Sequence, residues 1–463
     1  MPKNMARERR NVTRRRALTY GTTVVGGSLL AGCLGGEEGN GEDGENGTES
    51  GNETEATETE TRTETAENDT DSGNETETGS DGSENADAGN ESEAEDESNG
   101  GNETDGSSGP YTSSLAPVGE VTLEAIPEDV MVYSLLYADM AVAYGHGDAV
   151  NSLGFDAETG GGTLDAYYDH LEGVSFDRED LTQLNTGSGA ISVDQELFYE
   201  LDSDLHLADP ALIASFEGWD RETVEEIAEN VAPWFGNAYS RAHGEPPESY
   251  ADDYEYYTLW EIAERVAALF GAGERYGELS AVHDDLVATI EEGLPPEEER
   301  PTVGAIIFME ETFYPSALDA PGFATADLRP LGATDAFAGE ELTYETSYDY
   351  EAMLEFDPDV LLHRYGVASY YDVGAIAETL ADHPVASRIT AVENGRVYPS
   401  GDPEQGPLMN LFQLEMAAKQ LYPDQFGAWP EDNHGEAYPE FPEEERLFDR
   451  ERVADAIGGA GQE

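Results

Sequence analysis

Residues able to do chemistry are few in this chain, and they cluster. His363-Arg364-Tyr365 sets an imidazole, a guanidinium and a phenol together at the end of a short apolar run, Val360–Leu362. With 101 acidic residues against 22 basic ones, a cation beside aromatic rings suits an anionic, planar or aromatic ligand. His363 or Tyr365 could instead ligate a metal. Asp202/Asp204 and Asp357/Asp359 form two D-x-D pairs, which could be read as cation sites but are explained more simply as turn residues. Catalytic signatures are missing. The eight His are scattered with no H-E-x-x-H. Gly187-Ser188-Gly189 lacks the flanking glycines of a nucleophile elbow. Gly271-Ala272-Gly273 follows a helical pattern rather than a strand, so it is not a dinucleotide loop. The expectation is a chain with no catalytic residues, no cofactor and no protein-built metal site.

The two D-x-D pairs belong to a longer repeat. Ser192–Leu205 and Ser347–Val360 align without a gap, 155 residues apart. They share Ser192/Ser347, Asp194/Asp349, Glu196/Glu351, Glu200/Glu355, Asp202/Asp357 and Asp204/Asp359. Each copy predicts a short capped helix, an acidic turn and a buried strand. One helix–strand unit used twice predicts two similar α/β lobes.

Further elements follow from local signals. Glu128–Tyr133 and Ala149–Leu153 read as strands around a helix at Leu135–Tyr144, and Thr223–Val231 as a helix. Residues 165–181 fit no pattern. Thr258-Leu259-Trp260-Glu261 is a capping box opening an amphipathic helix, which Gly271 and Gly273 break. The pattern resumes to Gly293-Leu294-Pro295-Pro296 as a rigid strut between the two copies. Pro301–Phe308 and Gly395–Tyr398 read as strands, and Asp372–Leu380, Pro407–Leu421 and Asp449–Ile457 as helices. The expected division is 1–32, 33–117, an N-terminal lobe 118–257, a helical connector 258–300, and a C-terminal lobe with an acidic tail, 301–463.

The start of the chain reads as an address. Thr13-Arg14-Arg15-Arg16-Ala17-Leu18 fits a twin-arginine export signal, and Leu30-Ala31-Gly32-Cys33 a lipobox ending in the only Cys. The expected location is outside the cell, with Cys33 lipidated and anchored to the outer face of its membrane. Residues 34–117 are Gly, Asn, Glu, Thr, Ser and Asp with almost no apolar side chains, which predicts an extended, disordered stalk. Asn46, Asn52, Asn68, Asn74, Asn90 and Asn102 head Asn-x-Ser/Thr triplets and are glycosylation candidates. The formal charge is −79, and Lys419 is the only lysine beyond Cys33. Nucleic acid is excluded as a partner because no basic patch exists. The acid-rich, Lys-poor composition suits concentrated salt, where repulsion is screened within a few ångströms.

Four stretches then carry a likeness: Pro127–Val132 with Ala138–Gly154; the two helix–D-x-D–strand units; the central helix; and His383-Pro384-Val385 with Ala391-Val392-Glu393-Asn394-Gly395-Arg396-Val397-Tyr398-Pro399. Over Pro127–Phe426 the chain resembles class III substrate-binding proteins, which feed ABC importers for iron–siderophore, haem and cobalamin. Residues 156–185 depart from that pattern. The resemblance implies two three-layer α/β lobes with mainly parallel sheets, one long bridging helix, and a ligand held between the lobes. It implies a monomer that hands an iron(III) chelate, or else haem or cobalamin, to a permease and its ATPase. It also implies that Glu196 and Glu351, one per lobe, dock onto the permease. A surface glycoprotein with no transported ligand is the rival class. Ligands of open α/β sheets sit at the C-terminal ends of strands. The binding candidates are therefore Tyr133, Tyr137, Trp219, Met309, Phe313, Tyr314, His363, Arg364 and Tyr365.

Overall fold

Strands covered by helices on both faces must be apolar on both faces, and Val130–Val132 and Val360–His363 are buried throughout. The computed structural model describes residues 109–155, 157–178, 180–185, 191–343, 345–367 and 371–459. The export signal, Cys33 and the six Asn-x-Ser/Thr sites lie outside the described residues. An antiparallel hairpin of β1 (Tyr111–Leu115) and β2 (Gly119–Leu123) comes first. The expected stalk boundary at Pro117 is therefore too late, because ordered backbone begins before Tyr111.

The N-terminal lobe then runs β3 (Val130–Val132), α1 (Leu135–Ala143), β4 (Ser152–Leu153), α2 (Ala157–Tyr168), β5 (Thr182–Gln183), α3 (Glu196–Leu201), β6 (Leu205–Leu207), α4 (Pro210–Ala214) and α5 (Arg221–Asn230). β3 pairs in parallel with β6, and β4 with β5. Single parallel bridges, Val130 to Val150 and His206 to Trp234, join and extend them. Helix α6 (Leu259–Leu269) opens on the Thr258/Glu261 capping box. Gly271, at φ +61°, turns the chain into α7 (Gly273–Gly293), whose 21 residues span about 30 Å.

The C-terminal lobe comprises β7 (Thr302–Met309), β8 (Thr312–Ser316), β9 (Thr334–Asp335), α8 (Tyr350–Phe356), β10 (Val360–His363), α9 (Val373–Asp382), α10 (Thr390–Glu393), β11 (Val397–Pro399), α11 (Pro407–Leu421), α12 (Pro423–Phe426) and α13 (Arg450–Gly458). Its sheet has the order β11-β10-β7-β8, with β9 on β7; only β8 is antiparallel.

The repeat is built alike in both lobes. α3 and α8 end on Asp202 and Asp357, both left-handed at φ 47° and 45°. The second aspartate of each pair then ties its strand to the neighbouring one. Asp204 accepts from the N–H of Glu128 (2.9 Å) and Asp129 (3.2 Å), ahead of β3. Asp359 accepts from the N–H of Thr302 (2.9 Å), at the head of β7. Phe198 and Met353, at equivalent positions, are fully buried. The first aspartate of each D-x-D pair ends the helix and the second pins the strand register.

Among the described residues four apolar clusters stabilise the unit, the smallest around Ala211, Tyr239 and Tyr250. One is private to the N-terminal lobe, around Met131, Phe198, Trp219 and Trp234. Another is private to the C-terminal lobe, around Ile306, Phe308, Met353 and Leu361. The largest joins the opposite faces of the strands, through Val130, Val132, Val303, Val360 and Leu362, to α1, α6, α7 and α11. Every residue of α11 is buried. The acidic stretch after it is more than a tail, since Trp429, Tyr438, Phe441 and Phe448 fold back as its cover.

Candidate functional site

β3 ends at Val132 and β6 at Leu207, and the residues just past those ends open into a cavity. It takes in about 770 Å³ of space with its solvent-open mouth included. Tyr133, Phe155, Phe216, Tyr137 and Tyr239 supply aromatic wall, with Ile191, Leu136 and Leu212 between them. Phe323 and Glu404 close it from the C-terminal lobe. The Tyr133 ring stands edge-on to Phe155 at 5.9 Å and lies 5.4 Å from Phe216. Gly154 lets it sit there, because a Cβ at that position would strike the Tyr133 backbone and ring.

The polar groups are sparse. Asp209 is buried and caps α4 through the Ala211 N–H (2.7 Å). It also accepts from the Ala238 N–H (2.6 Å) and the Tyr254 hydroxyl (2.6 Å). Burial pushes its carboxyl up to about 6, with those hydrogen bonds opposing. Arg241 reaches across the cleft to Glu404 at 2.9 Å. Beside it Gly322, at φ +95°, lies so close to the Ser240 and Arg241 carbonyls that no side chain fits. The lobes thus touch at the rim of the cavity. Among the described residues the buried Tyr133 hydroxyl has no hydrogen-bond partner, and burial, then the Glu404 charge, raises its pKa far above the usual phenol range.

Of the residues expected to bind, Tyr133 and Tyr137 line the cavity. Tyr137 also accepts the Asn237 N–H at 2.6 Å. The others are placed elsewhere. Trp219 is a core residue, edge-on to Phe198 at 5.2 Å and donating to the Val193 carbonyl. Phe313 is fully buried between Phe308 and Tyr350. Met309 and Tyr314 stay half-buried on the β7–β8 hairpin, away from the cavity lining. That hairpin is the reason: Glu310 and Glu311, both at positive φ, turn β7 straight into β8. The end of β7 is used up in pairing.

Arg364 is not an anchor for a ligand. It is buried against Asp327 at 3.0 Å and donates to the Ala324 carbonyl at 2.6 Å. His363 is fully buried with both nitrogens engaged: Nδ1 donates to the Arg364 carbonyl (2.9 Å) and Nε2 accepts the Phe308 N–H (2.9 Å). Burial holds its pKa down to about 4. Tyr365 is buried at φ 57° and is not among the lining residues. The sequence reading missed Arg241 and Glu404. The available signal was an arginine two residues after the aromatic stretch Trp234–Tyr239. Among the described residues, no three His, Cys, Asp or Glu side chains converge as a metal site.

Glu196 and Glu351 stand exposed in the first turns of α3 and α8. No helix of the described residues is long and apolar enough to cross a membrane.

No protein-family model and no curated protein matches the chain. Among solved structures it is similar to a periplasmic solute binding protein from Mycobacterium smegmatis, with 17% identity over 68% of this chain and 98% of that chain, and a TM-score of 0.48. It is also similar to a petrobactin-binding protein from Bacillus subtilis, with 15% identity over 68% and 99% and a TM-score of 0.47. A third is an ABC-type Fe3+-hydroxamate transport system from Saccharomonospora viridis, with 21% identity over 69% and 99% and a TM-score of 0.45.

Proposed function

We propose that this chain is the ligand-capturing component of an ABC importer, not an enzyme, and that it takes an iron(III) chelate between its lobes. The observation that carries the reading is the aromatic cavity at the ends of β3 and β6, closed from the second lobe by Phe323 and Glu404. Strand ends are where open α/β folds bind small molecules. The duplicated helix–turn–strand unit supports a partner that meets both lobes alike. Glu196 and Glu351, exposed at equivalent positions, are our docking residues for the permease. Each has a second carboxylate one turn on, Glu200 or Glu355, and like charges at that spacing cost a little in an isolated helix.

In the same reading the twin-arginine leader exports the chain, Cys33 carries the lipid, and the acidic stalk holds the lobes off the membrane. A single lipid chain anchors only marginally, so a second chain or signal is part of the proposal. The acid-rich surface fits a salt-rich medium.

Absorbance and native mass of protein purified from iron-starved cells test the ligand. A broad charge-transfer band with a matching mass increment is expected. A Soret band would instead mean haem and a corrin band cobalamin. No bound species, and no affinity for any of the three, would sink the reading. For docking, Glu196→Ala combined with Glu351→Ala is expected to abolish uptake while leaving ligand affinity unchanged; full uptake by the double variant would refute it.

A further inference from the structure

Given that the cleft takes an iron chelate, as proposed above, we infer that it selects a complex with no net negative charge. Such a complex forms when three hydroxamate groups cancel the charge of the metal. The trianionic complexes made by three catecholates are disfavoured.

The argument is an inventory of charge. Among the described residues Arg241 is the only cation lining the cavity. The undescribed positions between 109 and 459 contain no Lys or Arg at all. Arg241 is already held by Glu404 at 2.9 Å. Asp209, buried in the same lining, adds a carboxylate. Behind Glu404 lies Asp402, buried and accepting the Glu404 N–H at 2.7 Å. In the lining itself one guanidinium therefore faces two carboxyl groups, Glu404 and Asp209, while Asp402 stands outside the lining, in the field of both Arg241 and Arg364. A trianion would have to displace Glu404 to gain a single cation, and would then meet the carboxylate it had displaced.

An uncharged chelate meets none of this. It offers apolar surface to the aromatic walls and carbonyl-type oxygens to a donor. Tyr133 lines the cavity, and among the described residues its buried hydroxyl has no hydrogen-bond partner. Burial and the neighbouring Glu404 keep it protonated, so it can only be used as an O–H.

Two probes decide the matter on the purified full chain: ferrichrome, an uncharged iron(III) trihydroxamate, and ferric enterobactin, a trianionic tris-catecholate. Quenching of intrinsic fluorescence gives both dissociation constants. In about 2 M KCl, long-range repulsion by the acidic surface is screened and the partly buried charges at the site dominate. The uncharged probe should bind at least about tenfold more tightly. Equal or tighter binding of the trianion overturns the inference and leaves the chelate reading standing. Binding of neither probe overturns both. Glu404→Gln should shift the ratio of the two constants about tenfold toward the trianion; an unchanged ratio removes Glu404 from the selection. Tyr133→Phe should weaken the uncharged probe about fivefold, and an unchanged constant would show that the hydroxyl is not used.

Discussion

At the residue scale Arg364, expected at the ligand, is an interior residue, and Arg241, given no role by its sequence context, stands at the cleft. Arg364 sits at a strand end beside His and Tyr, yet it is buried in a pair with an equally buried Asp327. Removing one partner of such a pair strands the other charge in the interior. Arg364→Ala should therefore cost about 3–5 kcal/mol, read as a lower midpoint in denaturant unfolding. Arg241, part-exposed at the cleft, pairs with a part-exposed Glu404. Arg241→Ala should cost under ~1 kcal/mol of stability while altering ligand binding. Equal stability losses for the two variants would refute this assignment.

At the element scale the decisive contact is the one that starts α11. Its N-cap is Gly406, which has no side chain to satisfy the first free N–H groups. Asp139, from α1 of the other lobe, does so instead. It accepts from the Leu408 N–H at 2.8 Å and from the Tyr168 hydroxyl at 2.7 Å. Gly406 is required because a Cβ there would run into the Asp139 carboxylate. One lobe thus caps the long buried helix of the other. Asp139→Ala leaves two buried donors unpaired and should destabilise by about 3 kcal/mol. Hydrogen exchange should show the extra opening at the N-terminal turn of α11; protection unchanged there would mean that the lobes are held by other contacts.

At the scale of the whole molecule, buried ionisable groups set opposing pH dependences. Burial lowers the pKa of His206 from 6.5 to about 4, so the folded state resists its protonation. Its stabilising contribution is complete above pH 6.5 and is lost as pH falls toward 4. Asp139 and Asp402 are raised from 3.8 to about 7, in each case first by burial. Their contribution is complete below 3.8 and is lost as pH rises through 7. The two kinds of group offset one another across the mildly acidic range. His206→Leu removes one side of that balance. Between pH 6.5 and 4 its stability relative to the parent should rise by about 3 kcal/mol, measured by urea unfolding at each pH. A constant difference would show that His206 does not titrate this way. The charge of −79 acts over longer distances. Raising salt from ~0.1 to ~2 M should raise the thermal midpoint by screening repulsion, and a flat response would exclude a role for salt.

What the sequence determined by itself is what local chemistry decides. Thr258 and Glu261 cap α6 wherever that helix goes, and Gly271 ends it. The spacing of Asp194, Phe198, Asp202 and Asp204, repeated from Asp349 to Asp359, carries its own helix, turn and strand. These signals act within a turn or two of chain, so the α/β lobes and the strut were legible. The hairpin at Glu310-Glu311 was not, because neither residue is a usual choice for positive φ. The site was decided only by tertiary structure. Arg364 finds Asp327 across 37 residues and Arg241 finds Glu404 across 163. Which carboxylate a guanidinium meets depends on how distant segments pack, within one lobe for Arg364 and between lobes for Arg241, and no local pattern records that.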